Sequence, residues 1–146
     1  MGLAKKSSAE KAPEHVRVLV VDDEASVLYT YQMILERQGY EVVAASTSKE
    51  AKDAIARQEF DLILCDYSLE QQHTGFEVIA AARERRPDVP SIMLTGYATL
   101  ETAEEARENG IGVLYKPIDI TEFLTTTSAL LRNGNESSKA SNTEQN

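Results

Sequence analysis

The sequence predicts an α/β protein built on a doubly wound parallel sheet, and three observations carry that expectation. Five short apolar runs rich in β-branched residues alternate with stretches of helical period across residues 15–132. The first, third and fourth runs are apolar almost without interruption, as strands covered on both faces must be. Strict alternation of strand and helix demands right-handed crossovers, which place helices on both sides of one parallel sheet.

The first strand is Val16–Val21, followed by a helix in which Val27, Leu28, Tyr31, Ile34 and Leu35 share one face and which Gly39 ends. Tyr40–Ala45 is the second strand; Thr47 and Glu50 then have the spacing of a capping box ahead of Ala51, Ala54 and Ile55. Phe60–Cys65 is the third, and Thr74 with Glu77 repeats the capping spacing before Phe76, Ile79 and Ala80. After the fourth strand, Ser91–Thr95, segment 98–109 offers only a thin stripe of Ala98, Leu100, Ala103 and Ala106, so its helix is expected to be the most mobile. Val113–Lys116 is the fifth strand, and Asp119 with Glu122 opens a last helix carrying Phe123, Leu124, Thr127 and Leu131. Five such units are expected in the order 2-1-3-4-5, a flavodoxin-like sheet with five helices. Its ligand crevice lies outside the carboxyl ends of strands 1 and 3, where the winding reverses.

One domain fits 146 residues. Residues 1–14 and 133–146 are polar and almost free of large apolar side chains, so a flexible N-terminal tail and a disordered C-terminal tail are expected to flank the domain at 15–132. Acidic residues number 24 against 15 basic ones, a net charge of −9. The tails hold four Lys and four Glu between them, so all of that charge falls on the domain. A net anion is repelled by nucleic acid and by anionic membranes, and neither is expected as a primary partner. A single cysteine, Cys65, excludes an intramolecular disulfide, and two histidines, His15 and His73, do not make a Cys/His zinc set. No apolar run approaches the roughly 18 residues of a membrane span, and the first fourteen residues lack a signal-peptide apolar core. A cytoplasmic location is the expectation.

Chemistry is expected at the strand ends. Strand 1 runs into Asp22-Asp23-Glu24, strand 3 into Asp66, strand 4 into Thr95-Gly96 and strand 5 into Lys116-Pro117. A lone Asp after a strand is often only a helix cap, but three converging carboxylates repel one another, by roughly 4 kcal/mol per pair at about 4 Å and an effective dielectric near 20. A hard divalent cation relieves that repulsion, and Mg²⁺ is held by one or two carboxylates together with waters and a phosphate. With Lys116 as a point charge and Thr95 as a hydroxyl donor, the pocket suits a metal-bound phosphoryl group. Either a phosphorylated ligand binds there or a carboxylate attacks phosphorus itself. The absence of a Gly-rich loop in VVDDEAS favours the second, with Asp66 as nucleophile and Asp22 and Asp23 holding the metal.

The motifs V-L-V-V-D-D-E (18–24), D-L-I-L-C-D-Y-S-L (61–69), I-M-L-T-G (92–96) and Y-K-P-I (115–118) resemble the receiver domain of two-component response regulators, over residues 16–131. The resemblance implies that Asp66 accepts a phosphoryl group from a sensor histidine kinase or a histidine phosphotransfer protein. It implies Asp23 as a direct Mg²⁺ ligand, Asp22 as an acid acting through water, and Ser68 as donor of a backbone carbonyl to the metal. Thr95 would be the switch hydroxyl and Lys116 the phosphate contact, held by a cis bond to Pro117. The phosphodonor would dock on helix 1. A downstream protein would read the face formed by helix 4, strand 5 and helix 5, and the chain would be a stand-alone regulator, a relay intermediate or a part of a hybrid kinase. Such a domain is not an enzyme but a phosphoacceptor that assists its own phosphorylation and dephosphorylation.

Three positions depart from the family pattern. Val113 stands where an aromatic is common, with Tyr115 beside Lys116; Glu70 stands where Pro is usual, in a loop one residue longer; and Tyr97 is expected to cover the phosphoryl group and slow its hydrolysis. Two rivals fare worse. A haloacid-dehalogenase-type phosphatase wants an Asp where Ser68 stands and a cap domain that the length does not hold, while an unphosphorylated binding module has no need of Asp22, Asp23, Asp66, Thr95 and Lys116 together. Elsewhere Cys65 reads as a buried inert thiol, His73 as a solvated loop residue, Tyr31 as core, and Arg83, Arg85 and Arg86 as a solvated helix end complementing the dipole.

Overall fold

The structure is a computed structural model that describes the backbone of residues 16–144 and the side chains of residues 16–132. Strands β1 (Arg17–Val21), β2 (Glu41–Ala45), β3 (Leu62–Asp66), β4 (Ser91–Thr95) and β5 (Gly112–Tyr115) pair in parallel, in the order β2-β1-β3-β4-β5. Helices α1 (Ala25–Arg37), α2 (Ser48–Arg57), α3 (Gly75–Arg85), α4 (Leu100–Glu108) and α5 (Ile120–Glu144) connect and follow them. The expected order and all five strands are present, with ends shifted by one or two residues. The shift at β3 matters. Asp61 is held beside the start of β1, its carboxylate accepting from the Arg17 N–H at 2.9 Å and its own N–H donating to the Arg17 carbonyl, so β3 begins at Leu62 and ends on Asp66.

Alternate residues of the strands face opposite layers. Leu19, Val21, Ile63, Cys65 and Met93 pack under α2 and α3 with Ala51, Ala54, Ile55, Val78 and Ile79. Val18, Val20, Leu62, Leu64, Ile92 and Leu94 pack on the other side with Leu28, Tyr31, Leu35 and Phe123 of α1 and α5. The three central strands are buried almost throughout, whereas β2 and β5 are half-exposed edges.

Helix ends follow local chemistry, with one failure. Gly39 closes α1 in the left-handed region at φ +94°, which lets its N–H reach the Glu36 carbonyl and the Tyr40 N–H reach Leu35. Thr47 accepts from the Glu50 N–H at 3.0 Å and Asp119 from the Glu122 N–H at 2.9 Å, as their spacing predicts. Thr74 makes no side-chain cap: the Glu77 N–H donates to the Thr74 carbonyl at 3.1 Å, and the Glu77 carboxylate lies 2.9 Å from His73 and 3.5 Å from Lys52. His73 is therefore a hydrogen-bond partner of Glu77 and not simply solvated. The arginines at the end of α3 are not simply solvated: two meet the C-termini of neighbouring helices and the third the loop before β3. Arg85 donates to the Ile55 and Ala56 carbonyls at the end of α2, Arg86 to the Phe60 carbonyl and Asp61, and Arg83 to the Asn109 carbonyl just beyond α4.

α4 is as thinly packed as its sequence predicts: Ala106 is its one buried residue, and Leu100 is 72% exposed. The backbone of α5 is helical to Glu144, and the side chains of the tail expected from residue 133 lie outside the described residues. The predicted N-terminal tail, 1–14, lies outside the described residues.

Candidate functional site

The carboxyl ends of β1, β3, β4 and β5 bring the predicted residues together. Asp22, the first residue past β1, is fully buried; one oxygen accepts from the Glu24 N–H at 2.9 Å and the other from Lys116 Nζ at 3.0 Å. Asp66 ends β3, buried, with Oδ1 3.2 Å from the same Lys116 Nζ. Asp23 is exposed at the rim, and carboxylate oxygens of Asp22, Asp23 and Asp66 all lie within 4.8 Å of one another. Lys116 is placed by its backbone, whose N–H donates to the Thr95 carbonyl at 2.7 Å, and its peptide bond to Pro117 is cis, as the family resemblance implies.

The electrostatics of the cluster are unbalanced, since three carboxylates face one ammonium. Burial first, and then the charge of Asp22, push the Asp66 carboxyl up to about 6, with Lys116 opposing. Burial works against the charge of Lys116. Its hydrogen bond to Asp22 and the charges of Asp66 and Asp22 outweigh that and raise its proton affinity above the ordinary lysine range. All-oxygen donors, two excess negative charges and mutual approach within 4.8 Å are what a hard divalent cation requires. The residues present fit such an ion.

Ser68 lies exposed in the loop after β3, paired antiparallel with Thr74. The hydrogen bonds of that pairing run from the Gly75 N–H to Tyr67 and from the Leu69 N–H to His73, leaving the Ser68 carbonyl out of them. Thr95 is buried beside Asp66, yet its hydroxyl does not join the cluster; it donates to the Tyr97 carbonyl at 2.8 Å and accepts from the Tyr97 N–H at 3.1 Å. The Tyr97 side chain is 80% exposed and does not cover Asp66, contrary to the sequence expectation. Cys65 is the inert thiol expected, fully buried, with burial and the Asp66 charge raising its proton affinity.

Gly75 opens α3 against the back of the acceptor strand. A Cβ there would lie 2.7 Å from the Asp66 carbonyl oxygen, which is backbone and cannot yield cheaply. Gly75→Ala is expected to destabilise the fold by about 1–3 kcal/mol, read as a lower urea midpoint, and an unchanged midpoint would contradict that close approach.

Two features escaped the sequence reading. Glu70 binds the start of α2 through Ser48. A groove of about 360 Å³ runs beside the site, lined by Val27, Tyr31 and Ile34 of α1, by Lys116 and Ile118, and by Phe123 of α5. The apolar face of helix 1 hinted at the groove; nothing local hinted at the Glu70 contact.

Comparison with known proteins agrees with this geometry. A model of the response regulator receiver domain family matches residues 18–128. The transcriptional regulatory protein ZraR of Klebsiella oxytoca is 33% identical over 119 residues, 81% of this chain and 27% of that protein. The response regulator protein PilR of Pseudomonas aeruginosa is 33% identical over 120 residues, 80% of this chain and 27% of its own. The chain thus spans about a quarter of the length of these curated relatives. Among solved structures, a CheY-like receiver domain protein from Methanospirillum hungatei superposes with a TM-score of 0.78 at 32% identity, covering 84% of this chain and 98% of that one. The chemotaxis protein CheY4 of Vibrio cholerae superposes with a TM-score of 0.73 at 31% identity, covering 80% and 98%. With a family match over nearly the whole core and relatives of about a third identity on the same fold, the chain belongs to the response regulator receiver domains of two-component systems.

Proposed function

We propose that Asp66 is the phosphoacceptor of this switch. The observation that carries the reading is the shared ammonium: Lys116 Nζ stands 3.2 Å from Asp66 and 3.0 Å from Asp22, so one cation spans the nucleophile and the metal-side acid. A carboxylate oxygen of Asp66 attacks the phosphorus of a phosphohistidine; the P–O bond forms as the P–N bond breaks, and the imidazole nitrogen leaves with the electron pair and takes up a proton from solvent. Asp22, Asp23, Asp66 and the Ser68 carbonyl would hold Mg²⁺, which neutralises charge building on the phosphoryl oxygens. Lys116 already faces the acceptor and contacts the arriving phosphoryl group, and the Thr95 hydroxyl exchanges its Tyr97 peptide partners for a phosphoryl oxygen.

Partners follow from the surfaces. The groove between α1 and the β5–α5 connection suits an apolar helix face of a histidine kinase or phosphotransfer protein bringing its phosphohistidine to Asp66. The face of α4, β5 and α5 suits the downstream protein. It exposes Tyr97, Leu100, Tyr115 and Ile120 beside Glu101, Glu104, Glu105 and Glu108, none of which enters an ion pair among the described residues. No helix among the described residues is long and apolar enough to cross a membrane.

The test is incubation with Mg²⁺ and beryllofluoride, followed by NMR, and with Mg²⁺ and acetyl phosphate, followed by intact mass. Wild type is expected to give a saturable, Mg²⁺-dependent spectral change and to gain one phosphoryl group, and Asp66→Asn to lose both. Steady turnover of a phosphate ester would favour a phosphatase of the haloacid-dehalogenase type, and no response at all would favour a binding module.

A further inference from the structure

We infer that Glu70 is a positioning residue for the metal side of the site, fixing the loop that carries Ser68 by binding it to the first residue of α2. The inference rests on the proposed Mg²⁺ site. Between Asp66 and Gly75 the chain makes a tight excursion through Glu70–Gln72, in which Gln71 (φ 53°) and Gln72 (φ 69°) are consecutive non-glycine residues in the left-handed region. Such a conformation persists only where its surroundings enforce it. Within the loop the Leu69 N–H donates to His73 at 2.9 Å and the His73 N–H to the Glu70 carbonyl at 3.0 Å, which closes the turn but does not fix it to the rest of the protein.

The Glu70 carboxylate adds a fixation to the one Leu69 makes, which is 5% exposed in the core under α2 and α3. Both of its oxygens accept from the Ser48 N–H, at 3.2 and 3.1 Å, and one also accepts from the Ser48 hydroxyl at 3.0 Å. Ser48 is a firm anchor, 3% exposed, at the start of a helix whose Ala51, Ala54 and Ile55 are buried. An anionic acceptor on the free N–H groups of a helix start is a strong, charge-assisted arrangement. Glu70 follows Ser68 by two residues, and the Ser68 carbonyl lies outside the bonds that pair its strand segment with Thr74. Its direction is set by the placement of the loop. Without the Glu70 bonds the loop samples other placements, and apparent metal affinity falls in proportion to the fraction correctly posed.

The experiment is a Mg²⁺ titration of the full chain by NMR or calorimetry, with amide hydrogen exchange at Ser48 and Leu69 measured in metal-free protein. Glu70→Ala is expected to weaken Mg²⁺ binding by roughly 3–10-fold through this loss of pre-organisation and to speed exchange at Ser48. Glu70→Gln is expected to stay within about twofold of wild type, since its amide oxygen accepts from the Ser48 N–H and its NH₂ donates to the hydroxyl. Ser48→Ala keeps the peptide donor and is expected to weaken binding by a smaller factor in the same direction. Combined with Glu70→Ala it should add nothing. Faster exchange with unchanged Mg²⁺ affinity in Glu70→Ala would reduce Glu70 to a cap of α2 and overturn the inference, as would a Glu70→Gln as weak as Glu70→Ala. A wild type that does not bind Mg²⁺ would overturn the metal reading of the site, and this inference with it.

Discussion

Asp66→Asn is expected to make the metal-free protein more stable, by about 3 kcal/mol at neutral pH if the whole shift in its carboxyl is recovered. Burial and the charge of Asp22 hold that carboxyl at about 6 against an ordinary 3.8, so the folded state resists its ionisation. A carboxyl whose folded value is raised binds more protons in the native than in the unfolded state between those two values. Stability is therefore lost as pH rises through that window, and the deficit is complete above about 6. The amide carries no charge and escapes the deficit. Urea melts should show the variant's advantage in full near neutral pH, shrinking below about 6 and gone near 4. Saturating Mg²⁺ should narrow it, because binding to the native wild type stabilises it by mass action. An advantage independent of pH would mean that repulsion at Asp66 is not its source.

Phe123→Ala is expected to cost about 3–5 kcal/mol, the upper range for deleting a buried aromatic ring. Phe123 is 1% exposed and stacks on Tyr31 with ring centroids 5.3 Å apart and planes at 26°. That stack joins α5 to α1 across the sheet face that also holds Leu28, Leu35 and Leu114. Thr127, one turn on, is buried too, but its hydroxyl is spent on the Phe123 carbonyl, so Phe123 is the one fully buried apolar side chain at this end of α5 among the described residues. Denaturant midpoints measure the loss, and a cost below about 1 kcal/mol would mean that α5 is held by something other than its ring. Because Phe123 and Tyr31 also line the groove beside Lys116, the variant should accept phosphoryl groups from a protein donor less well than from acetyl phosphate.

Most of the fold was legible because strands buried on both faces must be apolar throughout, and β1, β3 and β4 are. The site was legible for a related reason: parallel strands end together, so Asp22, Asp66, Thr95 and Lys116 could be placed on one edge from the chain alone. Side-chain partners were not. Thr47–Glu50 and Thr74–Glu77 have the same spacing, yet only the first caps its helix through the side chain; at the second the Glu77 N–H takes the Thr74 carbonyl, and His73 and Lys52 hold the Glu77 carboxylate. The Glu70–Ser48 contact joins a loop to a helix start 22 residues away, and the arginines after Ala82 bind carbonyls 26–30 residues distant. Such choices depend on which groups the finished fold leaves within reach, and no local pattern records them. The exposed Tyr97 ring belongs with them: its peptide, not its ring, occupies the Thr95 hydroxyl.

The attachment of α4 is lopsided. At its far end Ala106 is buried, the Ile111 N–H returns to the Ala106 carbonyl at 2.8 Å, and the Arg83 guanidinium holds the Asn109 carbonyl. At its near end, next to the Thr95–Tyr97 turn, Leu100 stands in solvent. In the switch proposed above the helix would be a lever pivoted at the end remote from Asp66, with its free tip next to the Thr95 hydroxyl. Nine residues make an arm of roughly 13 Å, so a rotation of about 20° carries the tip roughly 5 Å while Ala106 stays seated. The amplitude of the proposed output would then be fixed by the length of the arm, and its ease by how little is packed beneath the tip.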